Sequence, residues 1–298
     1  VTDEVGDERV HHVFTKGTQA ELSASIVGVV AAGALGLIAL RVPIVAAGAI
    51  FVALAIGLLV VMPERHFTPT PRADRETFGH LRDQFVAGLQ VARRRRVVRA
   101  FLFVSLLVGL ASEVVDRLWT VRVLDDSTMP SIFGGDEAIA FAAFALVGTT
   151  VSLLASLASG RWLPKHVPDE HPALPVVLAA LTQVAAIVAL ALFGNLWLVL
   201  AAVWLRSAAQ AFASPIERAW LHRNLDSATR ATVVSMNSQM NAVGQVAGGP
   251  PLGALANVSG IPVALIAAAA IQLPTAALLA RVRHATGSPE PEATESRA

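Results

Sequence analysis

Residues 63–99 form a long polar stretch carrying Arg65, Arg72, Arg75, Arg82, Arg93, Arg94, Arg95, Arg96 and Arg99. Apolar runs flank it on both sides, two before and six after. A connector this basic resists transfer across a bilayer, so it holds one face of the chain in the cytoplasm. A bilayer core needs about 20 apolar residues per helix, and the runs at 22–40, 44–62, 100–119, 138–159, 173–193, 196–214, 231–256 and 263–280 meet that length. The expected fold is therefore an all-α membrane protein with eight transmembrane helices. Residues 1–62 hold two of them, 63–99 connect, 100–284 hold six, and 285–298 form a Pro-, Glu- and Ser-rich tail expected to be disordered.

Composition agrees with a lipid-facing chain. It is 54% hydrophobic and only 15% charged, with a mean hydropathy of +0.60, whereas a soluble domain is normally about a quarter charged. There is no cysteine, which excludes disulfides and thiolate metal sites. Among the histidines only His11 and His12 adjoin, without metal-ligand spacing, so no metal and no other cofactor is expected. The start, Val1-Thr2-Asp3-Glu4, lacks a basic n-region and a short apolar core, so it is not a signal peptide. Either translation begins at a non-standard codon or these residues lie inside a longer protein, and the second is expected.

The distribution of basic residues tests the span count. With eight spans and both ends cytoplasmic, the inner segments hold Arg9, Lys16, the connector arginines, Arg161, Lys165, Arg218, Arg223, Arg230, Arg281, Arg283 and Arg297. The outer turns hold only Arg41 and Arg122, the separation that a multi-pass protein of the cytoplasmic membrane requires. Within the connector, Phe78, Leu81, Phe85, Leu89 and Ala92 recur at helical spacing, which predicts an amphipathic helix on the inner membrane surface. The run 93–96 then meets lipid headgroups. A basic run beside a span is ordinarily a stop signal, so no nucleic-acid partner is expected.

Three spans carry polar groups that lipid penalises. Arg206 sits about ten residues into the sixth span, near the midplane at about 1.5 Å per residue. It must face protein or water, with Gln210 one turn further on the same face. Backbone carbonyls are the structural alternative for satisfying it. The third span carries Glu113, Asp116 and Arg117. Arg117 follows Glu113 by four residues, so those two pair along the helix and Asp116 is left without a local partner. A carboxylate balanced between low dielectric and a nearby guanidinium can take up and release a proton, so Glu113 or Asp116 is the expected proton carrier, with Arg206 setting its affinity. The alternative is an ion network near the outer interface anchored by Trp119. In the seventh span, Asn237, Ser238, Asn241 and Gln245 put polar groups on one side, beside Gly244 and Gly248. Gly248, Gly249, Pro250 and Pro251 are expected to break the helix in mid-membrane, which is tolerated only in buried positions or along a cavity. The glycines alone would mean close packing; with amides and a break, the expectation is a cavity wall.

Several polar spans around one wet site are what a transporter needs, and at this point the pattern resembles the major facilitator superfamily. The two spans, basic connector and six spans are similar to helices five to twelve of that family. The segment Ser214-Pro215-Ile216-Glu217-Arg218-Ala219-Trp220, continuing through Asn224, Arg230, Ala231, Thr232, Ser235 and Gln239, resembles the loop between helices ten and eleven of drug-efflux-like members. Gly244, Gly248, Gly249, Pro250 and Gly253 resemble the break in helix eleven. The cytoplasmic loop motif between helices eight and nine is reduced to Gly160, Arg161 and Lys165, without its aspartate. The helix-five antiporter signature is also degraded: Gly28, Gly33 and Gly36 are present without a Gly-Pro pair. The resemblance implies a secondary transporter that moves a small molecule by alternating access, with protons as the coupling partner and efflux as the direction. It also implies that the first four helices of the family are missing here. One alternative is a truncated, non-transporting membrane protein, which four missing helices would favour because the cavity then lacks half its wall; another is a membrane scaffold or sensor, and Arg206 argues against that one. No Gly-x-Ser-x-Gly or His-Glu-x-x-His motif occurs, so an enzyme is not expected.

Overall fold

The computed structural model describes residues 7–39, 41–61, 86, 90, 95–126, 137–166, 173–225 and 227–282. Those residues form helices α1 (Asp7–Gly36), α2 (Val42–Val61), α3 (Arg96–Asp126), α4 (Glu137–His166), α5 (Ala173–Leu192), α6 (Leu196–Arg223), α7 (Ser227–Ser259), α8 (Ile261–Gln272) and α9 (Pro274–Val282). Seven of the described helical segments are long and apolar enough to cross a membrane, with α8 and α9 together making one of them. This is the architecture of an α-helical membrane protein. The expected count of eight is not reached on length and composition, because α7, although 33 residues long, is not among the seven. The amphipathic connector helix, the headgroup contacts of Arg93 and Arg94 and the tail lie outside the described residues.

The helices outrun the apolar stretches that announced them. α1 begins at Asp7, well ahead of residue 22, and α3 extends from Arg96 to Asp126. Two segments expected as loops are helical. Gly160, Arg161 and Lys165 lie in the last turns of α4, and Ser214 to Arg223 continue α6 through Pro215. A helix stops where its backbone bonds are met elsewhere, not where its side chains turn polar. The α5–α6 turn shows such a stop: Asn195 Oδ1 accepts from the amides of Trp197 (3.0 Å) and Leu198 (3.3 Å), an N-cap that starts α6.

The expected break at Gly248, Gly249 and Pro250 is not there. α7 runs as one helix from Ser227 to Ser259 with Pro250 and Pro251 inside it. Each proline removes one helix hydrogen bond, and the helix survives because it is clamped along α3, its most extensive partner. A Cβ on Gly244 would sit 2.4 Å from the Leu106 carbonyl oxygen, and one on Gly248 would sit 2.2 Å from that of Leu110. From the other side, a Cβ on Gly109 would reach 2.1 Å from the Asn241 carbonyl. The glycines are there for backbone-to-backbone approach. The eighth span is the one that is divided, at Leu273, where Pro274 opens α9.

Two apolar clusters lie at the two ends of the bundle. One joins the start of α3 and α5 to the end of α6 and to α9, around Val98, Val176, Ile216 and Leu279. The other joins the later turns of α3 and α5 to the start of α4 and α6 and to α8, around Val115, Ile187, Leu200 and Leu265. α1 packs on α4 and more lightly on α6, while α2 packs chiefly on α1. α2 keeps most of its described side chains exposed, including Ile44, Phe51 and Leu59, as a lipid-facing helix does.

Candidate functional site

The polar side chains of the central helices divide among three cavities. The first, about 350 Å³, is bounded by α3, α5, α6, α7, α8 and α9. Its lining includes Asn237, Asn241 and Gln210 among the expected residues, and also Gln183, Glu217 and Gln272. The second, about 250 Å³, holds Asp116 and Arg206, with Trp204 and Trp119 in its wall and Ser25 of α1 at its edge. The third, about 510 Å³, is lined by Glu113, Arg117, Gln245, Gly249 and Pro250. No lining residue is shared between any two of the three.

The geometry of α3 explains the division. At about 100° per residue, Glu113 and Arg117 lie some 40° apart around the helix, while Asp116 and Arg117 lie about 100° apart. Arg117 Nε accordingly donates to Glu113 Oε1 along one flank. Asp116 turns to the other flank, where its Oδ1 accepts from Arg206 Nη1 at 2.7 Å. The partner that α3 does not supply to Asp116 comes from α6. Arg206 is mostly enclosed, with a side chain 19% exposed against 59% for Asp116. Its Nε is buried without a hydrogen-bond partner. Arg206 and Gln210 follow one face of α6 but enter different cavities.

The amides of α7 face α3 and hold it. Ser105 Oγ donates to Asn237 Oδ1 at 2.7 Å, Asn241 Nδ2 donates to the Ser105 carbonyl at 3.2 Å, and Gln245 Nε2 donates to Asn241 Oδ1 at 2.7 Å. Its Ser105–Asn237 and Asn241–Ser105 bonds cross the seam that the glycines close, so Ser105, Asn237 and Asn241 both bind the helices and line the first cavity. A Cβ on Gly249 would meet Glu113 Cγ at 3.2 Å, which places this end of the seam against the Glu113–Arg117 pair.

Of the loop-motif residues, Gly160 faces α1, where an added Cβ would meet Thr15 Cγ2 at 2.8 Å, and Arg161 is exposed. Lys165 lies in the last turn of α4. Arg230 donates from Nη2 to the Leu225 carbonyl at 3.2 Å, bracing the α6–α7 turn. Two further arginines act on helix ends: Arg122, read from sequence as a topology marker, and Arg95, expected with the run 93–96 to meet lipid headgroups but turned here onto a backbone carbonyl. Arg95 Nη1 donates to the Asn224 carbonyl at 2.7 Å, and Arg122 Nη2 donates to the carbonyls of Phe193 (3.2 Å) and Ala191 (3.4 Å). A cation at a helix C-terminus satisfies orphan carbonyls and complements the helix dipole.

The pair that sequence reasoning missed is Gln183 and Gln272. Gln272 Nε2 donates to Gln183 Oε1 at 3.2 Å, and both side chains are buried. Each is a lone amide in an otherwise apolar span, a signal visible in the chain but weaker than a charge. No family model matches this chain, and no curated protein matches it.

Proposed function

We propose that this chain is a secondary transporter of major-facilitator type that moves a small molecule across the cytoplasmic membrane by alternating access, coupled to protons. The observation that carries the reading is the Asp116–Arg206 pair, a carboxylate and a guanidinium from two apolar helices meeting at 2.7 Å beside a cavity. Ion pairs inside apolar spans are costly and mark ion or substrate pathways. A pair that is only partly enclosed can part when a proton neutralises Asp116, which frees Arg206 and changes how α3 sits against α6. Glu113, already held by Arg117 on its own helix, is the less exchangeable carboxylate. The tight α3–α7 seam fits a helix pair that moves as one body.

The test is energised efflux of ethidium from cells making the full chain. Export above the empty-vector background, lost on adding a protonophore, is expected. Asp116→Asn should lower that export by about tenfold or more, equivalent to about 1.4 kcal/mol, and Glu113→Gln should lower it less. Export indifferent both to the protonophore and to Asp116→Asn would remove the proposal. Arg206→Lys separates charge from geometry, because lysine keeps the charge but loses the planar fork.

A further inference from the structure

We infer that the first cavity is a binding site for a small monoamine, distinct from the Asp116–Arg206 cavity. Two acceptors in its lining have no donor among the described residues. Gln272 is 2% exposed, and its Oε1 is buried without a hydrogen-bond partner while its Nε2 is committed to Gln183. Buried carbonyl oxygens of this kind are normally satisfied by protein, water or ligand, and this one belongs to a residue that lines a cavity. Glu217 also lines that cavity and makes no hydrogen bond or ion pair within the described residues. Phe101 lines it too, and an aromatic ring attracts a cation. A carboxylate, an orphan carbonyl oxygen and a ring together ask for a positively charged hydrogen-bond donor.

Size and the remaining charge narrow the class. A cavity of about 350 Å³ lies at the small end of ligand sites, which run from about 300 to 1,000 Å³. The apolar part of the lining, with Val104, Val108 and Leu279, suits a short hydrocarbon or aryl group on the amine. Arg218 is exposed and lines the same cavity beside Glu217, and the described lining holds no second carboxylate to receive a second ammonium. A monoamine is favoured over a diamine for that reason.

The probe is benzylamine, protonated at neutral pH, titrated calorimetrically into the full chain in lipid nanodiscs with no gradient present. Binding is thus read independently of transport, and the two proposals fail separately. Saturable benzylamine binding is expected, with benzyl alcohol, benzoate and putrescine each weaker by about tenfold or more, a gap of about 1.4 kcal/mol. Glu217→Gln should weaken benzylamine about tenfold, and Gln272→Met about threefold. Folding of each variant is checked by its unperturbed thermal transition without ligand. Because Glu217 is only half-buried, its amide variant keeps the test open if Gln272→Met does not fold. Equal affinity for benzyl alcohol, preference for benzoate, displacement of benzylamine by sodium chloride but not by choline chloride, or full affinity in Glu217→Gln would each overturn the inference.

Discussion

The α3–α7 seam and the α1–α2 pair are both rich in glycine, and the glycines do opposite things. Along the seam, Gly109, Gly244 and Gly248 have no room for a methyl group, because the facing backbone stands where it would go. In α1 and α2, a Cβ built on Gly28, Gly36, Gly48 or Gly57 meets nothing within 4 Å, and Gly33 reaches only ordinary contact with Ala142 at 3.4 Å. The glycines of α1 and α2 therefore serve no close backbone contact among the described residues. The difference lies in what accompanies them. Seam glycines alternate with Asn237, Asn241 and Gln245, which bond across to Ser105 or along α7, whereas those of α1 and α2 sit among alanine, valine and leucine. A glycine signals a helix interface when a polar partner one turn away fixes the facing helix at that register.

The hardest way to break this contrast is Gly248→Ala. The new methyl would lie 2.2 Å from the Leu110 carbonyl oxygen and 2.7 Å from its Cα, both backbone atoms that no rotamer can move. Overpacking against a rigid neighbour costs typically 1–3 kcal/mol, and a loss of about 3 kcal/mol is expected in reversible denaturation from mixed micelles. A change under about 0.5 kcal/mol would show that the helices separate freely and that the seam is no clamp.

A smaller effect is expected at Gly148 of α4, where an added Cβ would meet Trp204 Cδ1 at 2.8 Å. Here the obstacle is a side chain, but Trp204 is held by its Nε1–H donating to the Phe144 carbonyl at 3.0 Å. Gly148→Ala should cost about 1–2 kcal/mol, and Trp204→Phe combined with it should recover part of that loss. Absence of recovery in the double variant would mean that the tryptophan is not the obstacle.

Sequence reasoning reached the helices and the charges more readily than their grouping. The seven apolar helices follow from run lengths that bilayer thickness dictates, and the Glu113–Arg117 pair follows from four-residue spacing alone. What periodicity could not supply was the azimuth of one helix against another. That azimuth sends Asp116 to Arg206 and Glu113 away from it, dividing one imagined polar site into three cavities. The uninterrupted α7 was hidden for a related reason: two glycines and two prolines read as a break until a second helix is known to lie against them. Gln183 and Gln272 were missed because an uncharged amide in an apolar run stands out only when its partner, 89 residues away, is placed beside it.

The polar half of the contrast is tested by the Ser105–Asn237 hydrogen bond at 2.7 Å. Hydrogen bonds between membrane helices average about 0.6 kcal/mol in double-mutant cycles. The Ser105→Ala, Asn237→Ala cycle is expected to give a coupling of that size. A coupling indistinguishable from zero would leave the glycines alone to hold the seam and would remove the proposed difference between the two regions.

The smallest effect belongs to Gly28→Ala, and its size discriminates between two accounts of α1. In water the exchange would favour the helix by about 1 kcal/mol, the propensity gap between the two residues. In a bilayer the backbone of a span has no alternative to its own hydrogen bonds, so α1 is helical before and after it packs and the propensity gain cancels. With nothing within 4 Å of the new methyl, no packing change replaces it, and stability should stay within about 0.5 kcal/mol of the parent chain. Destabilisation of about 2 kcal/mol or more would reveal a helix pressed against Gly28 in the membrane-embedded protein, and α1 would then belong with the seam instead of opposing it.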